Sequence, residues 1–197
     1  MESQTSTHDL VELVKQGDHD AFRRLFDKYR PRLAVLAHYK LGSQLRRDAD
    51  VDDIVQETLL RAYRHIDQFK YQKPGSFMNW LGRIAGNVIA EMGRSQNRLK
   101  RAGEHVRFRS ESNPGGPDPA HSHTPSRIFS ENETLSLFLE KLDQLPEDYR
   151  RVILLSKVEG FTTSEVAERL GKTSEATALL LHRAIKRLRS LQEGRKE

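Results

Sequence analysis

Helical periodicity, interrupted once by a polar segment, constrains the fold of this 197-residue chain more than any other feature. Apolar residues recur at intervals of three and four on both sides of the interruption, without the apolar–polar alternation typical of strands. The interrupting segment, Arg109–Arg127, reads RSESNPGGPDPAHSHTPSR and holds too few apolar side chains to bury a core. The pattern predicts an all-α protein with two helical domains joined by a flexible linker: residues 1–100, the linker 101–129, and residues 130–197.

Four helices are predicted in the first domain from the spacing of its apolar residues. They cover His8–Gln16, about Asp20–Leu41, Asp52–Phe69, and Phe77 to about Arg98. Ser76 is placed to be the N-cap of the last helix, and Gly42 is placed to end the second. Trp80 falls on the apolar stripe of the last helix, so we expect it in the core.

The second domain contains the local pattern of a helix-turn-helix within Thr162–Arg189. Thr162 and Glu165 have the spacing of a capping box, Ala167 is small enough for a helix crossing, and Gly171 suits the turn. We expect Thr173 or Ser174 to open the last helix, whose first residues would face base edges in the major groove. An ordinary helical hairpin with a solvated basic end is the alternative.

Charge is distributed unevenly along the chain, although the formal net charge is only +5. The stretch Arg83–Arg109 holds seven Lys/Arg against two Glu, and Lys172–Glu197 holds seven against three. Such basic stretches attract polyanions, although solvated helix faces have the same composition. The chain has no cysteine, which excludes disulfides and thiolate metal sites.

Several classes of protein receive no support from the sequence. Phosphate loops, nucleophile elbows and zinc signatures are missing, so we predict no enzyme activity, no metal and no cofactor. The first residues lack the pattern of a signal peptide, and apolar runs are far shorter than the roughly 20 residues that span a bilayer. We therefore expect a soluble cytoplasmic protein that is not inserted into a membrane.

Three motifs resemble the bacterial sigma-70 family, in its extracytoplasmic-function (ECF) group. One is similar to sigma region four and runs from Leu145-Pro146-x-x-Tyr149-Arg150 through Glu165-Val166-Ala167-x-x-Leu170-Gly171 to His182-Arg183-Ala184-x-x-Arg187-Leu188-Arg189. Another, Asp52-Asp53-Ile54-Val55-Gln56-Glu57-Thr58, is similar to region 2.2. The third, Phe77-x-x-Trp80-Leu81-x-x-Ile84-Ala85-x-Asn87 followed by Arg94, is similar to regions 2.3 and 2.4.

This resemblance implies a factor that binds core RNA polymerase, directs it to promoters and helps to melt the minus-ten region. The polymerase contacts implied are the β′ clamp helices and the β flap. In the family, the region 2.2 helix docks on the clamp helices, and the residues expected to do so here are Asp53, Gln56, Glu57 and Leu60. A solvated surface helix is the alternative for this segment.

The resemblance also implies two DNA-reading surfaces. The minus-ten element is read by the loop and helix of regions 2.3 and 2.4, where the candidates are Lys70, Tyr71, Lys73, Ser76, Asn79, Arg83, Asn87, Arg94 and Arg98. Splayed bases need a pocket with positive charge nearby, and an Asn amide matches an adenine edge. The minus-thirty-five candidates are Lys172, Thr173, Ser174, Thr177, Arg183, Lys186 and Arg187.

The start of the predicted recognition helix departs from the family pattern. Where the family commonly has Thr-Val-Lys-Ser-Arg, this chain has Ala176-Thr177-Ala178-Leu179-Leu180, so two cations are replaced. The apolar face of Ala176, Ala178 and Leu179 suits either weak reading of DNA or a protein partner. An anti-sigma protein is a further partner that the resemblance implies. The alternatives are a free-standing helix-turn-helix regulator that acts without polymerase and an adaptor that binds only proteins.

Overall fold

The computed structural model describes residues 5–41, 50–107 and 132–193, and side chains are described except at 96–107 and 193. We call residues 5–107 the first module and residues 132–193 the second module. The first module contains α1 (Thr7–Lys15), α2 (His19–Lys40), α3 (Val51–Arg64) and α4 (Ser76–Arg107); the second contains α5 (Glu133–Asp143), α6 (Glu147–Ile153), α7 (Thr163–Leu170) and α8 (Ser174–Glu193). No strand occurs among these residues, so the all-α prediction is confirmed.

Short polar side chains start the first three helices. The Ser6 hydroxyl accepts a hydrogen bond from the Asp9 amide, and the Asp18 carboxylate accepts from two amides of the first turn of α2. Asp50 does the same for α3, accepting from the Asp52 amide at 2.9 Å. These side chains satisfy amide groups that have no partner within the helix, which explains why each helix begins where it does.

Helix α2 is the centre of the first module. It packs against α1, α3 and α4, and much of its second half, including Leu33 and Leu36, is buried. An aromatic cluster joins its middle to the start of α4: the Tyr29 and Phe77 rings lie 4.9 Å apart, and Trp80 lies 5.0 Å from Phe69. Trp80 is half-buried there, as expected of a core residue.

Two helix boundaries in the first module differ from the prediction. Helix α3 ends at Arg64 rather than Phe69, because a 3₁₀ turn over Ile66–Gln68 tightens the chain and places both Ile66 and Phe69 in the core. Helix α4 begins at Ser76 itself, whose hydroxyl donates to the Lys73 carbonyl oxygen at 2.7 Å instead of capping the helix. Gly42 and the linker Arg109–Arg127 lie outside the described residues.

The far end of α4 also differs from the prediction, since the helix continues to Arg107. The proposed boundary between residues 100 and 101 therefore falls inside a helix. The apolar stripe fades near Met92, and this loss of periodicity produced the early boundary.

The second module packs α8 against α6 and α7. Helix α6 continues as a π-helical segment over Leu154–Glu159 and ends at Gly160, which has a φ of 84°. The predicted capping box is present: the Glu165 amide donates to the Thr162 hydroxyl, and the Thr162 amide donates to the Glu165 carboxylate. Gly171, with a φ of 62°, turns the chain into α8 as expected, because positive φ is strained for residues with a Cβ.

Both modules contribute to one continuous hydrophobic core. The π-helical segment is the main point of contact, since α2 and α4 both pack against it. Val158 from this segment is buried, with 4% of its surface exposed. The two modules are thus in direct contact in this structure.

Candidate functional site

The four predicted polymerase-docking residues lie together in one surface groove between α3 and α4. The groove has a volume of about 870 Å³, and Asp53, Gln56, Glu57 and Leu60 form its α3 wall. They come together because positions 53, 56, 57 and 60 fall on one face of a helix with 3.6 residues per turn. Leu60 has 43% of its surface exposed, which is unusual for a leucine beside a core.

An ion-pair network lies along this groove. The Arg61 guanidinium donates from Nε to Glu57 Oε1 at 2.6 Å, and its Nη1 lies 2.8 Å from Glu91 Oε2. These hydrogen bonds to Glu57 and Glu91 raise the pKa of Arg61 above its ordinary value. With Asp53 included, the groove has three carboxylates and one cation, so it presents negative charge around an apolar centre.

Sequence reasoning missed the α4 wall of the groove. That wall consists of Val88, Glu91, Met92 and Ser95. The amphipathic pattern of α4 placed Met92 on the buried side of that helix. The pattern does not show which other helix packs against Met92. The pairing of α3 with α4 had to be known before Glu91 was recognised as part of a site.

The predicted minus-ten residues form a strip along another face of α4. Ser76, Asn79, Arg83, Asn87 and Arg94 follow one another at spacings of three, four, four and seven, which keeps them on one side of the helix. Arg83, Asn87 and Arg94 are exposed, whereas Ser76 and Asn79 are half-buried. At about 100° per residue, this strip lies roughly a third of a turn from the groove. The Arg98 side chain is outside those described.

The loop before α4 supplies the other minus-ten candidates. Lys70 and Lys73 are exposed. The Tyr71 ring is half-buried and packs edge-on against the His8 ring, with 5.2 Å between ring centroids. The two lysines of this loop are therefore exposed to solvent, whereas the Tyr71 ring already packs against another ring of the protein.

The second module covers the beginning of the α4 strip. A cleft of about 260 Å³ has Lys73, Ser76, Asn79 and Arg83 on one side. Its other side is formed by the second module, through Phe161, Glu165 and Arg169. The Lys73 ammonium lies 2.8 Å from Glu165 Oε1, and this hydrogen bond, together with those from Thr162, lowers the pKa of Glu165 to about 2. Sequence reasoning did not anticipate this contact.

Helices α7 and α8 pack against each other on either side of the Gly171 turn. Val166 and Ala167 are buried where α7 meets α8, and Leu170 and Leu180 are half-buried beside them. The Thr173 hydroxyl accepts a hydrogen bond from the Ala176 amide at 3.2 Å, which caps α8. The exposed minus-thirty-five candidates are Lys172, Thr173, Ser174, Arg183, Lys186 and Arg187.

Thr177 differs from the other candidates on α8. Its residue is only 1% exposed, and its hydroxyl has no hydrogen-bond partner among the described residues. The side chain is buried in the module, whereas the neighbouring Ala176 and Ala178 are exposed. We therefore remove Thr177 from the set of proposed base contacts. Leu179, by contrast, has 50% of its surface exposed, so the apolar face of α8 is present as expected.

None of the helices in the described ranges is both long and apolar enough to cross a membrane. Within those ranges, no group of three or more His, Cys, Asp and Glu side chains is placed to hold a metal ion. The described residues instead present an acidic groove, a basic strip and a capped pair of helices. These are features of a helical DNA-binding transcription factor with a separate docking site for a protein.

Comparisons with known proteins identify the family. The family model described as ECF sigma factor matches residues 4–192, and the chain therefore belongs to the ECF sigma factor family. The ECF RNA polymerase sigma-E factor of Escherichia coli (strain K12) is 29% identical over 167 residues, covering 85% of this chain and 84% of that protein. The sigma-E factor of Haemophilus influenzae is 30% identical over 168 residues, covering 85% of each.

Solved structures are also similar to this chain. CnrH, determined with the cytosolic domain of CnrY, is 22% identical, with coverage of 95% and 97% and a TM-score of 0.44. RpoE of Bartonella quintana, determined with the anti-sigma factor NepR, is 23% identical, with coverage of 89% and 98% and a TM-score of 0.42. As a sigma factor, this protein binds core RNA polymerase and promoter DNA to initiate transcription.

Proposed function

We propose that the α3–α4 groove is the surface by which this sigma factor docks on core RNA polymerase. The observation that carries the proposal is the convergence of Asp53, Gln56, Glu57 and Leu60, selected from sequence alone, in one acidic groove. A helical coiled coil with exposed cations would match its charge, and the exposed Leu60 provides an apolar anchor; the proposed partner is the pair of β′ clamp helices. Glu91 and Met92 extend this proposed interface onto α4.

The α4 strip is the proposed minus-ten reader. Its first part, from Ser76 to Arg83, is assigned to unstacked bases together with Lys73 of the preceding loop, because these residues combine cations with polar groups beside a cleft. Its second part, with Asn87 and Arg94, is assigned to the duplex, where an exposed amide can pair with an adenine edge. Melting of the minus-ten region follows from holding the unstacked bases.

The start of α8 is the proposed minus-thirty-five reader. Lys172, Thr173 and Ser174 surround its N-terminus, and Arg183, Lys186 and Arg187 are placed to contact phosphates. Because the side chains of Ala176 and Leu179 cannot form hydrogen bonds, this face can form few hydrogen bonds with bases. This surface therefore contributes mainly affinity that depends on salt concentration.

Four further parts of the proposal come from family membership. We place the protein in the cytoplasm with the polymerase. In the proposed role it performs no covalent chemistry, because the polymerase makes the RNA. We also expect an anti-sigma protein as a regulatory partner, and the β flap as a second polymerase contact for the second module.

Mixing the purified full-length protein with core RNA polymerase tests the proposal, followed by run-off transcription from a library of genomic promoters. We expect a stable complex and a defined set of start sites. Binding of duplex DNA without polymerase, together with no complex, would show a free-standing regulator instead. Capture of proteins but neither polymerase nor DNA would show an adaptor.

A further inference from the structure

The first two turns of α8 present an apolar spot on an otherwise polar helix surface. Leu179 has 50% of its surface exposed, and Ala176 and Ala178 beside it are exposed as well. At about 100° per residue, Leu179 lies nearly opposite Thr177, which is only 1% exposed. Leu179 therefore lies at the centre of the face that α8 turns away from its own module.

Packing within the module does not account for this leucine. The inward side of α8 is formed by Thr177, Ala184 and Leu188, which are buried and follow one another at spacings of seven and four. Leu179 falls outside that set, so its side chain is available to a ligand. A single exposed leucine is common on protein surfaces, and what distinguishes this one is the charge of the residues around it.

Cations frame the apolar spot along the same helix. Arg183 lies about one turn beyond Leu179 and Lys186 about two turns beyond it, which places both on the same outer face. Lys172 precedes the helix, and all three cations are exposed. Such a row of cations attracts the phosphates of nucleic acid, so the charge of this face matches a polyanion.

One carboxylate limits how a duplex can meet this face. Glu175 lies about one turn before Leu179 and is exposed. A carboxylate repels phosphates and a leucine cannot pair with them, so this part of α8 suits base edges rather than the DNA backbone. The phosphate contacts then belong to Arg183 and Lys186, as in a helix that lies in the major groove with its first residues against the bases.

Thymine is the base whose major-groove edge has an apolar group that such a face can contact. All four bases present hydrogen-bond donors or acceptors there, and thymine also presents its 5-methyl group. Leucine and alanine side chains pack against this methyl group, whereas they leave the polar edges of other bases without partners. A basic helix with apolar first turns therefore matches a duplex that contains thymine.

We propose that Leu179, with Ala176 and Ala178, gives this sigma factor a preference for thymine in the minus-thirty-five element by contact with thymine 5-methyl groups. This inference rests on the function proposed above for the start of α8. Sequence is then read at this surface by apolar contact, while the cations supply affinity that does not depend on sequence. The family commonly has lysine and serine where this chain has Ala178 and Leu179, so the preference belongs to this chain.

Replacement of thymine by deoxyuridine tests the proposal, because uracil lacks only the 5-methyl group and pairs with adenine in the same way. The full-length protein with core RNA polymerase first selects templates from a genomic promoter library. The strongest promoter is then made with uracil at single positions of its upstream element, and complex formation is measured by fluorescence anisotropy. We expect promoter affinity to fall about fourfold for each methyl group that is contacted. Uracil in the spacer should leave the affinity unchanged.

Leu179→Ser supplies the protein half of the test. Because Leu179 is exposed, the variant should remain folded, which circular dichroism checks. The difference in affinity between thymine and uracil templates, about fourfold in the parent protein, should disappear in this variant. Gln192→Ala, exposed in the last turn of the same helix, is the matched control and should keep the difference.

Two results would overturn the proposal. One is equal affinity of the parent protein for thymine and uracil at every position of the upstream element. The other is a thymine preference that persists in Leu179→Ser, because the methyl group would then act through DNA shape or through another residue. If that variant also binds both templates more weakly, the exposed leucine contacts a protein rather than the bases.

This inference and the proposed function of α8 can fail separately. Arg183→Ala with Lys186→Ala should lower affinity for thymine and uracil templates alike, because phosphate contacts carry no sequence information. If this loss occurs but the parent protein shows no thymine preference, the methyl contact alone is refuted. If neither removal of the cations nor uracil changes promoter affinity, α8 does not read the minus-thirty-five element, and the function proposed for this surface is refuted as well.

Discussion

The α3–α4 groove and the cleft at the start of the α4 strip lie on neighbouring faces of one helix, but different parts of the chain complete them. The groove is built entirely within the first module. The cleft needs Phe161, Glu165 and Arg169 of the second module as its other wall. Helix α4 therefore borders two different surfaces. The accessibility of the groove is fixed by the first module alone, whereas the accessibility of the start of the α4 strip depends on the second module.

This difference shows how one small protein can separate two binding events. A partner that docks in the groove meets the same surface in any arrangement of the modules. A ligand of the covered strip must first displace the second module, so its apparent affinity is reduced by the fraction of open molecules. Variants that affect only one of the two surfaces test this separation.

Charge reversal in the groove should have the largest effect. Asp53→Lys with Glu57→Lys removes two of its three carboxylates and leaves Arg61 beside new cations. We expect affinity for core polymerase to fall by about 30-fold or more, as for loss of paired interface charges. Fluorescence anisotropy with labelled protein measures this loss. Reversal of the exposed Asp20 and Asp67 is the control, and an equal loss there would show that only net charge matters.

Truncation of a side chain on the exposed part of the α4 strip should reduce promoter use without reducing polymerase binding. Asn87→Ala should reduce run-off transcription by about tenfold, the cost of one bidentate base contact, and leave polymerase affinity unchanged. Gln144→Ala removes an exposed amide of the second module and should change neither quantity. Equal loss of polymerase binding in the Asn87 and groove variants would show that the two surfaces are not distinct.

Removal of the α7 cap should affect stability rather than recognition. Thr162→Ala deletes the hydroxyl that accepts from the Glu165 amide, and we expect a loss of about 1 kcal/mol in the free energy of unfolding. Urea denaturation measures it. Thr163→Ala, at the next and exposed position, should cost much less. If both cost the same, the capping box does not stabilise α7.

Substitution of Thr177 should raise stability rather than lower it, because its buried hydroxyl has no partner among the described residues. Thr177→Val keeps the shape of the side chain and removes the polar group. We expect the free energy of unfolding to rise by about 1 kcal/mol and promoter affinity to change less than twofold. A large loss of affinity with unchanged stability would return Thr177 to the DNA-reading surface.

Acidic pH should weaken the contact between the modules, with the smallest effect of the five changes. The pKa of Glu165 is lowered to about 2 first by Lys73 across this contact and then by Thr162 within its own module, so only the Lys73 part favours the contact. That part is lost as the pH falls from 4.5 towards 2. Glu159 acts oppositely: burial raises its pKa, which favours the contact at low pH, and this contribution is lost as the pH rises through the raised pKa. The distance between spin labels on exposed positions of the two modules should shift less across this range in Glu165→Gln than in the parent protein.

The sequence predicted those features that depend on local periodicity. The helices, the Thr162–Glu165 capping box and the Gly171 turn follow from the spacing of apolar residues and from backbone preferences within a few residues. The four α3 residues expected to dock on the polymerase were named from the resemblance to region 2.2; they lie together in the groove because they share one helix face, and their role stays a prediction. Each of these predictions needed only one segment of the chain.

Features that depend on two distant segments could not be read from the sequence. The Arg61–Glu91 pair needs the packing of α3 on α4, and the hydrogen bond from Arg32 to the Val158 carbonyl oxygen joins residues that are 126 positions apart. Thr177 was misplaced for a related reason, because its burial depends on how α8 rotates against α7. A threonine at that position has the same local pattern whether it faces solvent or the core.

The π-helical segment over Leu154–Glu159 makes the coupling of the modules sensitive to chain length. A π turn contains an inserted residue relative to an α-helix, and its removal would rotate the residues that follow by about 100°. Val158 would then no longer present its carbonyl to Arg32, and its buried side chain would leave the core that the two modules share. A deletion of one codon in this segment is therefore a simple genetic route from a coupled pair of modules to an independent pair.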